Sequence, residues 1–341
     1  MYVYILINLL LFLISYFDKR FSRGFSLLID ISMVLLLTLI FGLRVDVGAD
    51  WFEYIRIYDI YKFDSFIFNH IEFGFKAINV IASTYEFGFS FVIITTTFLF
   101  FAFTIFGCRL CMVNPYLFLA LIFPYYVVMS GMNYLRQSLG LSVFIVYVAL
   151  LLRSCKISSI LMLLLGMSFH KSILIFSVLS FLRLKIRYIV IFGLPFVLFG
   201  VGTQLQSYND LYLNSSHYSS SGFLLRYMYV LISCCIYCYL MNSEKESEYR
   251  WRYVIVLGTV FVAIVAILST TAADRLAYYF IVLNTLLILR VLSQINFNKN
   301  ILIFVIFTLT ITSQLGFFIW ANWGSIASYY IFKHAFFSAM I

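Results

Sequence analysis

Five basic side chains stand where an apolar segment of the chain begins or ends. Arg44 follows one apolar run and His170 closes another, while Arg136, Arg226 and Arg275 each open a run. Arginine binds phosphate through a planar fork of N–H groups and stays charged at all relevant pH values, and the start of a helix favours anions. The four arginines together predict a site for a polyanion, although each one alone is also explained by pairing with a nearby acid.

Acidic side chains accompany these arginines along the chain. Asp46 and Asp50 follow Arg44 closely, and Asp274 directly precedes another arginine. Each carboxylate either forms a structural ion pair or supplies a general base for a hydroxyl nucleophile, and both interpretations stay open. The sequence shows no P-loop, which argues against ATP as the energy source. Two C-x-x-C pairs have no His or second cysteine pair near them, so we expect neither a metal site nor a cofactor.

The segments that carry these residues belong to a membrane protein. Hydrophobic residues make up 64% of the 341 residues and charged residues 11%, against about 45–50% and about 25% in soluble proteins. The net charge of +9 reflects Lys and Arg in short loops, which is the positive-inside pattern and not a nucleic-acid site. We predict an all-α, polytopic integral membrane protein with a single transmembrane domain over residues 1–341.

The apolar runs predict about 12 transmembrane helices, since a span needs about 20 residues. The runs are 2–17, 25–43, 87–107, 115–129, 135–152, 157–169, 171–182, 188–202, 223–240, 253–270, 275–289 and 301–320. The runs 157–169 and 171–182 are too short for a hydrocarbon core of about 30 Å, so they are tilted or form a re-entrant hairpin with His170 at its tip. Lys and Arg counting puts the N-terminus outside, which brings His170 and the arginines to the outer face.

Two long segments, 44–85 and 203–222, are predicted to be extracytoplasmic loops. In the first, Trp51 and Tyr54 begin an aromatic series at helical spacing, which is either an interfacial aromatic belt or a platform on which sugar rings stack. The second is rich in Ser and Tyr, and it is either a polar loop over the outer mouth or a plain flexible connection.

Four short motifs carry a resemblance to a known family. They are Arg44 to Asp50 (R-V-D-V-G-A-D) with Tyr54, Asn133 to Gln137 (N-Y-L-R-Q), Ser168 to Ser172 (S-F-H-K-S), and Arg275 with Tyr278. In this order they resemble the EpsG-like, Wzy-type polysaccharide polymerases, and the resemblance covers nearly the whole chain. It implies a membrane glycosyltransferase that joins polyprenyl-diphosphate-linked oligosaccharide repeat units into O-antigen (lipopolysaccharide) or exopolysaccharide, at the outer, periplasmic face of the bacterial cytoplasmic membrane.

The resemblance and the charge pattern together give each site residue an expected role. Arg136 and Arg275, joined by Arg44 and Arg226, would hold the donor diphosphate in place of a metal ion. His170 is the first candidate for the base that activates the acceptor hydroxyl, and Asp50 and Asp46 are the second. Trp51, Tyr54 and Tyr278 are the expected sugar-binding residues. Donor and acceptor are both lipid-linked, so membrane lipid, a flippase and a chain-length regulator are the expected partners.

Other classes of function remain open on the sequence. A lipid-linked oligosaccharide flippase or other transporter also needs basic residues in a cavity, but these should line a path through both leaflets, whereas the arginines gather at one face. A membrane glycan ligase or O-acyltransferase also uses His or Arg in outer loops, and a ligase differs from a polymerase only in its acceptor.

Overall fold

The computed structural model describes residues 2–18, 22–63, 71–181, 220, 222–241, 249–295 and 297–338. Most of these residues are helical, and among them the only β-type pairing is an isolated bridge between Arg44 and His334. The all-α prediction is therefore confirmed. The predicted run 188–202 and nearly all of the predicted loop 203–222 lie outside the described residues.

The described elements follow one another in the order of the predicted apolar runs, with two further helices in the segment 44–85. They are α1 (Tyr2–Asp18), α2 (Arg23–Gly42), α3 (Trp51–Phe63), α4 (Phe73–Thr84), α5 (Gly88–Leu110), α6 (Pro115–Phe123) continuing as a π-helix (Pro124–Gly131), α7 (Leu135–Leu152), α8 (Lys156–Phe169), a first 3₁₀-helix (Lys171–Phe181), α9 (Phe223–Leu240), α10 (Tyr249–Leu268), α11 (Thr270–Gln294), α12 (Lys299–Trp323), a second 3₁₀-helix (Ala327–Tyr330) and α13 (Ala335–Ser338).

Seven of the helices in the described ranges are long and apolar enough to cross a membrane, and four shorter apolar helices accompany them. The protein is thus a polytopic membrane protein, as predicted. α7 and α11 are mostly buried and form the centre of the bundle, whereas α2, α10 and α12 expose most of their surface. The exposed side chains of these outer helices are large and apolar, which suits contact with lipid tails.

The two short runs form a helical pair with His170 between them. α8 has 14 residues, or about 21 Å at 1.5 Å per residue, and the first 3₁₀-helix has 11 residues, or about 22 Å at 2.0 Å per residue. Neither length spans about 30 Å of hydrocarbon. His170 ends α8 in an extended conformation, with φ −157° and ψ 121°, while its N–H still donates to the Gly166 carbonyl.

The π-helix lies directly before the start of α7. It begins at Pro124, which has no N–H and so cannot make the α-helical hydrogen bond to the residue four positions earlier. π-helical turns are rare and recur at functional sites. Here the π-helix leads into Met132, Asn133 and Tyr134, which contact the residues described below.

The segment after α2 packs against both the start of α7 and the C-terminal part of the chain. Gly48 has φ +112°, and a Cβ there would lie 2.6 Å from the Met132 carbonyl oxygen, so only glycine fits this close approach. The Gly48 N–H donates to the Tyr329 carbonyl at 2.9 Å, and the Ala335 N–H donates to the Leu43 carbonyl at 2.9 Å. These contacts bring the loop 43–50 to one end of the bundle, which we call the site end.

The opposite end of the bundle, the far end, holds a separate network of paired charges. Arg109 at the end of α5 donates to the carboxylates of Asp18 at 2.6–2.7 Å and Asp30 at 2.8–2.9 Å. The Tyr116 hydroxyl donates to Asp30 at 2.5 Å, and Arg153 donates to the Leu110 carbonyl. Every charge in this network has a partner, so it braces α1, α2, α5 and α6.

Candidate functional site

A buried carboxylate links two of the predicted site residues. Glu72 precedes α4 and is 8% exposed. Its Oε2 accepts a hydrogen bond from Nη1 of Arg136 at 2.9 Å, and its Oε1 lies 3.2 Å from Nδ1 of His170. The Lys171 N–H points at the same Oε1 at 3.4 Å. We call Glu72, Arg136 and His170 the ion cluster.

Three different parts of the chain build the ion cluster. Arg136 is the second residue of α7, and its side chain is 31% exposed. The extended backbone at His170 turns the imidazole out of the axis of α8 and toward α7. Gly74 lets α4 approach the end of α8, since a Cβ there would lie 2.6 Å from the Ser168 hydroxyl. This close approach carries Glu72 to the histidine.

The electrostatics of the ion cluster favour a charged carboxylate and a neutral imidazole. Burial raises the pKa of Glu72, but its hydrogen bond with His170 and the charges of His170 and Arg136 outweigh this and lower the pKa to about 2. Burial lowers the pKa of His170, although Glu72 opposes the shift. The hydrogen bond and the Arg136 charge still act on Glu72 when His170 is neutral. A neutral His170 then carries its proton on Nδ1, facing Glu72, and its Nε2 is a proton acceptor.

Asp50 lies beside the ion cluster, half-buried at the start of α3. Its N–H donates to Oδ1 of Asn133 at 2.8 Å, which ties the loop to the residue three positions before Arg136. Burial raises the pKa of the Asp50 carboxyl, and the charges of Arg275 and Arg136 oppose the shift. Asp50 is therefore within electrostatic reach of two arginines from different helices.

A cavity of about 230 Å³ adjoins these residues, between α9, α11 and α12. Arg226, Asp274, Arg275 and Tyr278 are among the residues that line it, together with Tyr134, Trp320, Tyr330 and others. Two links connect the cavity with α7. The Gln137 side chain donates to the Arg275 carbonyl at 2.8 Å, and the Arg275 guanidinium lies 5.9 Å from the centre of the Tyr134 ring.

Inside the cavity wall, Arg226 forms an ion pair with Asp274. Nε of Arg226 donates to Oδ1 of Asp274, and the two side chains are 8% and 4% exposed. The guanidinium also donates to the Ser220 hydroxyl at 3.1 Å and lies 5.4 Å from the centre of the Tyr278 ring. The positive charge of Arg226 is thus balanced locally by Asp274.

Arg44 is enclosed by the ends of two helices. Its guanidinium donates to the carbonyls of Phe41 at 2.5 Å and Met132 at 3.3 Å and to the Thr97 hydroxyl at 3.4 Å. The carbonyls at a helix C-terminus attract a cation. Burial lowers the pKa of Arg44 to about 10, so it stays charged at neutral pH. It is 3% exposed, and no carboxylate among the described residues lies within 4 Å.

The remaining predicted residues lie around the loop 43–50 and α3. Asp46 forms an ion pair with Lys333 at 2.5 Å, on the exposed side of the loop. Trp51 is half-buried, packs edge to face on Phe89 and lies 5.9 Å from the Arg44 guanidinium. Tyr54 is 6% exposed and its hydroxyl adjoins Arg136. These rings pack inside the protein, and their proposed role with sugars stays a prediction.

The site end therefore brings Asp50, Arg136, His170 and Arg275 together, with Arg226 and Tyr278 in the adjoining cavity. Glu72, Asn133 and Gln137 also contribute to the site, and none of them was among the site residues predicted from the sequence. Asn133 and Gln137 flank Arg136 in the N-Y-L-R-Q motif, which was the available signal for them. Glu72 stands only two residues before Gly74, and it has no local pattern that marks it as a partner of His170.

The architecture defines a multi-pass membrane protein with the ion cluster buried at the site end of its helical bundle. The family model of the EpsG family matches residues 27–336, and the chain therefore belongs to the EpsG family. EpsG-like proteins are Wzy-type polymerases, so the family supports a polysaccharide polymerase-like role in general. No curated protein and no solved structure matches the chain.

Proposed function

We propose that the protein is a membrane glycosyltransferase that polymerises polyprenyl-diphosphate-linked oligosaccharide repeat units into O-antigen or exopolysaccharide. Its site would face the outside of the cytoplasmic membrane, and the lipid chains of both substrates would enter between the spans. The observation that carries the proposal is the Glu72 carboxylate between His170 and Arg136. An imidazole that could act as a base thus lies next to a cationic group that suits a phosphate, which supports the proposal.

In the proposed reaction, the acceptor hydroxyl gives its proton to Nε2 of His170. The hydroxyl oxygen then bonds to the anomeric carbon of the donor glycan as the bond from that carbon to the diphosphate oxygen breaks. The electron pair of the broken bond remains on the polyprenyl diphosphate. Glu72 would act as a carboxylate acts on a catalytic histidine elsewhere, since it holds the proton on Nδ1 and stabilises the imidazolium that forms.

The departing diphosphate needs its negative charge stabilised. Arg136 and Arg275 are the proposed ligands, because the charges of both act on the Asp50 carboxyl and both therefore lie near it. Arg136 keeps a 31% exposed side chain while it donates to Glu72. Arg44 is 3% exposed and bonded to backbone carbonyls, and we therefore assign it to the support of the loop and not to the substrate.

Asp50 is the second candidate for the base. Its pKa is raised by burial, which makes its carboxylate more basic than an exposed one. Asp46 is paired with Lys333 on the exposed side of the loop, and it takes no part in the proposed mechanism. A flippase or transporter is less well supported, because the two acids described at the far end, Asp18 and Asp30, are both paired with Arg109.

The test is a reaction in proteoliposomes with purified lipid-linked repeat units, in which the products are separated by size. The wild-type protein should yield glycans of several repeat units on one lipid carrier, and His170→Gln should lower the rate by about 10²–10⁴. Arg56→Ala is the matched control, because Arg56 is exposed and lies in a surface ion pair with Glu53. Transfer to an acceptor other than a lipid-linked repeat unit would identify a ligase, and translocation without bond formation a flippase.

A further inference from the structure

The cavity beside the ion cluster contains a buried acid and base whose charges cancel. Arg226 and Asp274 are 7% and 3% exposed, and they face the cavity from α9 and α11. Oδ1 of Asp274 accepts from Arg226, while its other oxygen makes no hydrogen bond with the described part of the chain. Among the described residues, that second oxygen keeps its capacity to accept from a ligand, next to the Arg226 guanidinium, which also donates to Met129 and Ser220.

The rest of the wall combines hydroxyl groups with aromatic rings. Ser220, Thr271 and Ser325 line the cavity together with Tyr278 and Trp320. Trp320 is fixed between neighbours, since it packs edge to face on Tyr330 with ring centres 4.8 Å apart. Small polar groups and rigid ring systems around a concave space are the usual lining of a small-molecule site.

Arg275 also lines the cavity, but the part of the wall around Asp274 does not suit a diphosphate. A phosphate oxygen inside the cavity would lie near the Asp274 carboxylate, and like charges repel strongly where water is largely excluded. A sugar ring is neutral and is not repelled by the Asp274 carboxylate. Adjacent hydroxyls can donate to Asp274 and accept from Arg226, while the C–H faces of the ring contact the aromatic side chains. Hydrogen bonds to charged partners are among the stronger ones in proteins.

The size of the cavity agrees with a single sugar ring. Its volume of about 230 Å³ is below the about 300–1,000 Å³ typical for drug-sized ligands. We infer that this cavity binds one sugar ring of the glycan and that the diphosphate lies outside it, toward Arg136. The choice of a glycan as the occupant rests on the proposed function. In this arrangement Arg226 is a sugar ligand, and Arg275 stands at the boundary between the ring and the diphosphate.

The two halves of the substrate can be offered separately to test this inference. The protein is labelled with 5-fluorotryptophan, and the Trp320 signal in the ¹⁹F NMR spectrum is assigned with Trp320→Phe. One probe is the oligosaccharide that mild acid releases from the polyprenyl-diphosphate pool of the host, and the other is inorganic pyrophosphate. The oligosaccharide should shift the Trp320 signal of the wild-type protein, and pyrophosphate should leave it unchanged.

The variant Asp274→Asn keeps the shape of the side chain and removes its charge. It should weaken oligosaccharide binding about tenfold or more, as expected for the loss of a hydrogen bond to a charged group. Glu53→Gln, in an exposed ion pair with Arg56, should leave binding unchanged. If Asp274→Asn fails to fold, the inference is still tested by the wild-type protein, whose Trp320 signal is compared with the oligosaccharide and with pyrophosphate.

The inference is overturned if pyrophosphate shifts the Trp320 signal or if the oligosaccharide does not. These outcomes are separate from the fate of the proposed function. Joined repeat units with an unchanged Trp320 signal would refute the sugar cavity alone. If the oligosaccharide shifts the Trp320 signal but the protein joins no repeat units, the polymerase proposal is wrong and the cavity remains a glycan-binding site.

Discussion

The carboxylate of Glu72 and the imidazole of His170 lie 3.2 Å apart although 98 residues separate them in the chain. Both side chains are buried, and Arg136 binds the other carboxylate oxygen. One acid therefore orients a histidine and holds an arginine at the same time. A change at Glu72 should affect both partners, which distinguishes it from a residue that only fills space.

Glu72→Gln should lower the polymerisation rate and shift its dependence on pH. Glu72 raises the pKa of His170 against the effect of burial, so loss of its charge should lower that pKa further. The fall in activity toward acid pH, where a base becomes protonated, should then move to lower pH. The rate loss at neutral pH should not exceed the about 10²–10⁴ expected for loss of the base itself.

The measurement is a pH profile of turnover in proteoliposomes, with Glu53→Gln as the exposed control. If Glu72→Gln lowers turnover equally at every pH, the carboxylate does not act through His170, and its role is confined to Arg136 or to folding.

The ion cluster should also make stability sensitive to acid. The pKa of Glu72 is lowered from 4.5 to about 2 in the folded protein. Ionised Glu72 therefore stabilises the folded protein above pH 4.5, where the carboxyl is ionised in both the folded and the unfolded state. This stabilisation is lost as the pH falls toward 2. We expect the melting temperature in detergent to fall over this window by more in the wild-type protein than in Glu72→Gln. Parallel curves for the two proteins would contradict this assignment.

Arg44→Ala should destabilise the protein, in contrast to Arg56→Ala. Three oxygen acceptors lose their donor when the Arg44 guanidinium is removed, and each buried group left unsatisfied costs about 1–3 kcal/mol. Thermal melting followed by size-exclusion chromatography should show a clear loss for Arg44→Ala and little change for Arg56→Ala. A fully stable but inactive Arg44→Ala protein would indicate that Arg44 binds the substrate diphosphate.

Arg136→Lys should restore chain growth only in part. A lysine can reach Glu72, but its single ammonium cannot also present a planar pair of N–H donors to a phosphate. In a strain that carries only the variant protein, we expect shorter glycan chains than in the wild type, with normal amounts of protein in the membrane. Gel analysis of the glycan measures this, and full-length chains with lysine would rule out bidentate phosphate binding by Arg136.

Native Cys155 offers a test of orientation. It is exposed in the turn between α7 and α8, at the far end of the bundle. A membrane-impermeant thiol reagent should reach it only after the cells are permeabilised, whereas a cysteine placed by Glu53→Cys should react in intact cells. Because Cys235 is also exposed, the first measurement uses a Cys235→Ser background and the second a Cys155→Ser, Cys235→Ser background. The reverse pattern would put the site end on the cytoplasmic side.

The helical runs were readable from the sequence because membrane spans follow composition and length. Each predicted run that falls within the described residues coincides with a helix, including the short pair around His170. The motifs also pointed to Arg136, His170 and Arg275, because a charge at the edge of an apolar run stands out from its neighbours.

The partners of these charged residues could not be predicted from the sequence. Asp274 was a candidate partner for its sequence neighbour Arg275, but it pairs with Arg226 from another helix. Asp46 follows Arg44 by two residues, yet it pairs with Lys333 near the other end of the chain. Such partners are set by the way helices pack, and a single sequence carries no local signal for that. Glu72 was overlooked for the same reason.

The π-helix before α7 determines which way the side chains at the start of α7 point. A π-helical turn holds one more residue than an α-helical turn, and one residue corresponds to about 100° of rotation in an α-helix with 3.6 residues per turn. Removal of one residue between Pro124 and Gly131 would thus swing Asn133 and Arg136 to a different side of the bundle. Insertions and deletions are usually harmless in loops, but in this apolar stretch of eight residues a single one would separate Arg136 from Glu72.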